Sequence, residues 1–75
     1  MGITDTEFQF MVETMTADLI ERLILQEHYS FKAAVDTVYS SATYSALQKP
    51  ETCLYYQSAG YVKQYLMREL QNGKL

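Results

Sequence analysis

The stretch FQFMVETMTADLIERLIL, Phe8 to Leu25, carries more apolar residues than one side of a helix can hold. Projected at about 100° per residue from Phe8, the side chains of Phe8, Met11, Val12, Met15, Leu19 and Leu23 fall in a stripe about 120° wide, an ordinary core face. Phe10, Ala17, Ile20 and Ile24 fall about 120–200° round, on nearly the opposite side, with Glu13 among them and Glu21 at the margin. A helix with two apolar stripes needs two coverings.

Length sharpens the problem. A chain of 75 residues makes one domain and buries only roughly 60–65% of the surface it exposes when unfolded, so its core is marginal without reinforcement. Cys53 is the sole cysteine and His28 the sole histidine, which excludes a disulfide and a structural zinc site. Association remains. Three coverings for the second stripe stay open: a second copy of the chain, other helices of the same chain packed on either side of the first, or a different protein. The first expectation is a homodimer, since an exposed stripe of Phe and two Ile is otherwise an aggregation liability.

Punctuation places the helices. In ITDTEF, Thr4 can cap while Glu7 reaches back to the cap amide, and Ile3 and Phe8 stand where a hydrophobic staple would, so the first helix is expected over about 5–27. Ser30 precedes a second helix over 31–40, on which Phe31, Ala34, Val35 and Val38 recur at helical spacing. Ser41 opens a short third, 42–48, presenting Tyr44 and Leu47 and stopped by Pro50. A type I turn at Pro50 and an extended loop through Cys53-Leu54-Tyr55-Tyr56 lead to Ser58 and the last helix, 59–71, ended by Asn72-Gly73. Tyr61, Val62, Tyr65, Leu66 and Leu70 share one face of it, with Glu69 as a single polar interruption. The expected fold is all-α: a small bundle of three main helices plus one short one.

Charge excludes some partners. Nine acids stand against six bases, distributed as −5 over residues 1–27, neutral over 28–42 and +2 over 43–75, which favours packing the first helix near the last. A net charge of −3 without a basic stripe argues against nucleic acid. No apolar run approaches the roughly 18–20 residues of a membrane span, and no basic segment is followed by an apolar one as in a signal peptide, so the expected location is cytoplasmic. MGITDT matches the pattern for myristoylation of Gly2, but no polybasic segment follows to supply a second membrane signal, and a plain terminus is the simpler account.

Nothing in the chain groups into catalytic, cofactor or metal chemistry. His28, at the expected end of the first helix, suits the negative end of its dipole and lacks an orienting acid and a nucleophile. Cys53 lies in a turn away from any helix N-terminus that would lower its pKa. Glu13 and Asp18 do not share a face, whereas Asp18 and Arg22 make a plain i,i+4 pair. Six of seven tyrosines fall between residues 39 and 65, either as the rim of a small core or as a contact surface built around Tyr55 and Tyr56. Phe10, Ala17, Ile20, Ile24, Tyr55 and Tyr56 are therefore the candidate interface. A tyrosine-lined pocket near Tyr44, Tyr56 and Tyr61, between the last two helices, is the alternative site, for a small molecule.

From Ser30 onward the chain resembles a group of small, uncharacterised bacterial proteins with a segment Tyr-x-Ser-x-Thr-Tyr-x-x-Leu followed by Glu-Thr-x-Leu-Tyr-x-x-Ser-x-x-Tyr. Here those positions are Tyr39, Ser41, Thr43, Tyr44 and Leu47, then Glu51, Thr52, Leu54, Tyr55, Ser58 and Tyr61. The resemblance covers about the last 45 residues. It implies an all-helical bacterial domain with no transferred active site, of a kind found beside toxin-like genes in two-gene systems. Relatives often carry glycine where this chain has Cys53, a departure that bears on the backbone of that turn.

Overall fold

Four hydroxyl side chains set where the helices begin. In the computed structural model, which describes residues 4–73, α1 runs Asp5–Glu27, α2 Phe31–Tyr39, α3 Ala42–Leu47 and α4 Ala59–Asn72. Thr4, Ser30, Ser41 and Ser58 stand before them in extended conformation, and each side chain accepts from the third amide of its helix. Each such cap is worth about 1 kcal/mol. At Thr4 the cap is reciprocal: the Glu7 amide donates to Thr4 Oγ1 and the Thr4 amide to Glu7 Oε1, both at 3.0 Å. The Ile3 half of the expected staple, Gly2 and Lys74 lie outside the described residues.

The fold is a small all-α bundle with no strand among the described residues. Its 23-residue α1 is about 35 Å long at 1.5 Å per residue, close to the 39 Å long axis of the molecule. α1 ends at His28, which takes the left-handed conformation (φ 64°) while the Tyr29 amide reaches back to the Leu23 carbonyl at 3.0 Å. This closure satisfies the last turn and folds α2 back onto α1. α2 and α3 each stop one residue short of the periodicity's reach. Ser40 spends its amide on the Asp36 carbonyl, and Ser41 already caps the next helix. α4 runs one residue further, to Asn72, before Gly73 takes φ 80°.

The extended loop expected over residues 53–56 is instead coiled. A 3₁₀ turn over Pro50–Thr52 is followed by a second over Leu54–Tyr56, hinged at Cys53, which adopts φ 61° and ψ 14°. Thr52 organises the hinge: its hydroxyl faces the Ala46 and Lys49 carbonyls at 2.8 and 2.9 Å and accepts from the Leu54 amide at 3.3 Å. Coiling directs Leu54 into the core, which an extended run would have carried past.

Val12, Met15, Leu19 and Leu23 of α1 form the spine of that core, met by Ala34 and Val38 of α2, Leu47 of α3, Leu54, and Val62 and Leu66 of α4. The buried face of α1 is turned toward α2 relative to the stripe read from the sequence. Phe8 and Met11 are only half-buried, and Thr16 is buried in their place with its hydroxyl donating to the Val12 carbonyl at 2.7 Å. Two polar contacts then fix α4. Lys63 Nζ bonds Gln26 Oε1 and Glu27 Oε2, both at 2.7 Å, joining the acidic α1 to the more basic α4. Glu69, the interruption in α4's apolar face, accepts from the Ala42 amide at 2.7 Å and from the Thr43 amide and hydroxyl at 2.9 and 2.8 Å.

Partial burial by itself would raise the Glu69 pKa, but the hydrogen bonds from Ala42 and Thr43 outweigh it and hold the carboxyl below its ordinary 4.5. A group whose pKa is lower when folded stabilises the fold fully above the ordinary value, and that contribution fades as pH falls through the folded value. Glu69→Gln should therefore lose less stability than the wild type on acidification below pH 4.5. At neutral pH, Glu69→Ala should cost about 2 kcal/mol in urea unfolding, because it strands the Thr43 donors. His28→Gly should raise stability by about 0.5–1 kcal/mol, since glycine takes the left-handed cap without strain and gives back part of that gain as unfolded-state entropy. A destabilised glycine variant would mean that the imidazole, not the backbone, matters at this cap.

Candidate interaction surface

α1 and α2 bury one side of their contact and leave the other open. Ala34 and Val38 face inward, spaced by one helical turn; Phe31, Val35 and Tyr39 repeat the same spacing on a neighbouring face. Beside that second face lie Ala17, Ile20 and Ile24 of α1. Together with Leu25 they line a groove of about 510 Å³, apolar except for Glu21. Ala17 is exposed, and Ile20, Ile24 and Val35 are half-buried. Phe31 is 71% exposed, Leu25 68% and Tyr39 53%.

The second stripe of α1 is thus partly covered by α2 and partly free. Phe10 does not join the other stripe residues in this groove. At 68% exposed it borders a separate cleft of about 270 Å³ with Met11, Tyr55 and Tyr56. Tyr55 is packed edge-on between Phe8 (centroids 4.9 Å apart) and Tyr56 (5.2 Å), a chain of aromatic contacts that ties the second 3₁₀ turn to the start of α1. The six candidate interface residues therefore divide into two surfaces: Ala17, Ile20 and Ile24 on one, Phe10, Tyr55 and Tyr56 on the other.

The tyrosines expected to share a pocket stand in different surroundings. Tyr44 packs on Tyr39 at 4.9 Å, accepts from Gln48 Nε2 at 3.1 Å and borders a cleft of about 220 Å³ with Phe8 and Gln9. Tyr56 borders the cleft it shares with Phe10 and Met11, and Tyr61 packs on Tyr65 at 5.4 Å, with Arg68 over the Tyr65 ring at 6.0 Å. The neighbouring Cys53 thiol pushes the Tyr56 phenol above its ordinary 10.0, and the neighbouring Tyr65 does the same for Tyr61. Both phenols stay neutral at physiological pH.

Charge is unevenly placed around the groove. On the α1 side stands Glu21, whereas Glu13, one turn before Ala17, borders the cleft of Phe8, Gln9 and Tyr44; neither takes part in an ion pair among the described residues. On the α2 side Lys32 and Asp36 neutralise one another at 3.1 Å. Asp18 is held by Arg22 at 2.9 Å and Glu27 by Lys63. Among the described residues no group of three or more His, Cys, Asp or Glu could hold a metal ion, and no helix is long and apolar enough to cross a membrane.

Sequence reasoning took Phe31, Ala34, Val35 and Val38 together as one helical repeat and missed the separate face that α2 contributes. The signal was there in the four-residue spacing of Phe31, Val35 and Tyr39, which defines a face of its own once Ala34 and Val38 are taken as the buried pair. Comparison with protein-family models, curated proteins and solved structures gives no match for this chain.

If the groove is open in the free chain, Phe31→Ser should change stability by less than about 0.5 kcal/mol in thermal unfolding, the range of ordinary surface substitutions. A loss of about 3 kcal/mol or more, typical of a deleted core ring, would mean that the Phe31 ring is covered in solution.

Proposed function

We propose that this chain is a non-enzymatic protein–protein interaction module that works through the groove between α1 and α2, acting by holding or masking what binds there. The observation that supports the reading is the continuity of exposed apolar side chains from two helices, Ile20, Ile24 and Leu25 with Phe31, Val35 and Tyr39. Exposed patches of a few hundred Å² mark interaction sites on small soluble proteins. Two helices bordering an apolar trough offer the geometry that receives a third.

Magnitudes favour a modest affinity. Covering the exposed parts of these side chains removes on the order of 400 Å² from water, or about 10 kcal/mol of gross stabilisation. Association costs about 4–15 kcal/mol in lost freedom, so apolar contact alone gives a weak complex and the polar edges matter. The occupant is a second copy, as the marginal core of so short a chain favours, or another protein. A cytoplasmic location, expected from the hydropathy of the sequence, and a place in a bacterial two-gene system, implied by the resemblance from Ser30 onward, belong to the same proposal.

Ile20→Glu tests it, because the variant sets a charge in the floor of the groove. Light scattering over a range of concentrations should show less self-association for the variant than for the wild type, or else the wild type should co-purify proteins from its native cell that the variant does not. Far-ultraviolet circular dichroism should stay the same. Equal mass and equal co-purification for the two chains would remove the groove from consideration.

A further inference from the structure

The groove and the ridge beside it are matched to one another. We infer that a second copy of this chain fills the groove about a two-fold axis running along it, the α2 ridge of each copy seated in the trough of the other. This rests on the groove reading above and names its occupant. Ala17, Glu21 and Leu25 follow one another four residues apart along α1, and Phe31, Val35 and Tyr39 do the same along α2, so each set forms a ridge. Between the ridges, Ile20 and Ile24 lie half-buried against the core and make the floor. The α2 ridge stands high, with Phe31 71% and Tyr39 53% exposed. One face therefore carries a trough and, alongside it, an aromatic ridge able to fill it.

A two-fold axis along the groove uses both at once, because in such a contact each element that inserts also receives. It lays each α2 antiparallel to the partner's α1 and keeps the levels already set within one chain. Only residues 28–30 join the two helices, so Phe31 stands near the level of Leu25 and Tyr39 near that of Ala17. The partner's Tyr39 then comes down over Ala17, the smallest side chain of the trough, which leaves room for the ring. A single helix of another protein would fill the trough and leave the crest of the ridge bare. Area agrees with a second copy. The exposed apolar parts come to on the order of 400 Å² per copy and 800 Å² for a pair. At the roughly 65% apolar share of homodimer interfaces this makes about 1,200 Å² in all, the lower end of what a stable interface needs.

Charge fits the same arrangement. Glu21 is the one acid lining the groove, and it takes part in no ion pair among the described residues. Lys32 lies seven residues before Tyr39, about 20° from it round α2, and so borders the ridge. Across the two-fold axis the partner's Lys32 comes within the reach of its flexible stem of Glu21, twice per dimer. Its bond to Asp36 is no obstacle: the two side chains are 86% and 66% exposed, and such a surface pair is worth little. The acid-rich α1 helices, each −5 through residue 27, lie on opposite edges of the four-helix layer rather than face to face.

Two single variants and their mixture provide the test. Glu21→Lys sets a lysine against the partner's Lys32, and Lys32→Glu sets a glutamate against the partner's Glu21. Each variant alone should dimerise at least about tenfold more weakly than the wild type in low-salt sedimentation equilibrium, the combined effect of exchanging two attractive surface pairs for two repulsive ones. Mixed, the two chains form a heterodimer in which both pairs attract again. Sedimentation of one variant, labelled and followed by fluorescence, should show most of the wild-type affinity restored when the other is added. High salt should erase most of these differences, and Ile20→Glu should leave only monomer. A wild-type dimer lost in Ile20→Glu but with no recovery on mixing would overturn the two-fold arrangement while leaving the groove reading intact. A wild type that stays monomeric at millimolar concentration, or a dimer that Ile20→Glu leaves unchanged, would overturn the inference altogether. The groove reading then survives only if the wild type co-purifies proteins that Ile20→Glu does not.

Discussion

The carboxylate of Glu69 holds the last third of the structure to the rest. α3 has only six residues, too few to sustain a helix by its own hydrogen bonds. Its start is fixed from both directions: Ser41 caps it locally, and Glu69 accepts its first two amides and the buried Thr43 hydroxyl from across the bundle. With α3 seated, Leu47 reaches the core and the Ala46 carbonyl meets Thr52. Thr52 in turn positions Cys53 and brings Leu54 inward. One charged side chain on an otherwise apolar face therefore organises a run of irregular backbone that lacks a pattern of its own.

This also explains what could be read in advance. The caps at Thr4, Ser30, Ser41 and Ser58 were legible because their partners lie three residues away, within reach of any local argument. The core stripe of α1 was legible because periodicity is a property of one helix. Glu69 read as an interruption because the groups it serves lie 26 and 27 residues back in the chain, and only the docking of α4 against α3 brings them together. Leu54 was misread as extended for a related reason: a left-handed cysteine leaves little trace in composition, and the turn it makes is set by a threonine hydroxyl bonding to α3.

The candidate surface was half legible. Ala17, Ile20 and Ile24 announced themselves as a second stripe, but periodicity could not show that α2 would cover one edge of it and extend the other. Phe10 looked equivalent to them on a helical projection. In space it stands about 10 Å up the axis from Ala17, beyond the reach of α2, and it joins the tyrosine turn instead. Projection records the angle of a side chain and discards its height, and in a bundle whose helices differ so much in length, height decides which neighbour is met.

That difference in length has a consequence for motion. α1 runs the length of the molecule, yet none of its residues before Val12 is buried. Its first two turns are held by the Thr4–Glu7 cap and by the contact of Phe8 with Tyr55, whereas from Val12 onward successive turns send Val12, Met15, Leu19 and Leu23 into the shared core. α1 is therefore one continuous helix but two units of cooperativity. Its leading amides exchange with solvent through local fraying at little cost in free energy, and the later ones exchange only when the whole bundle opens.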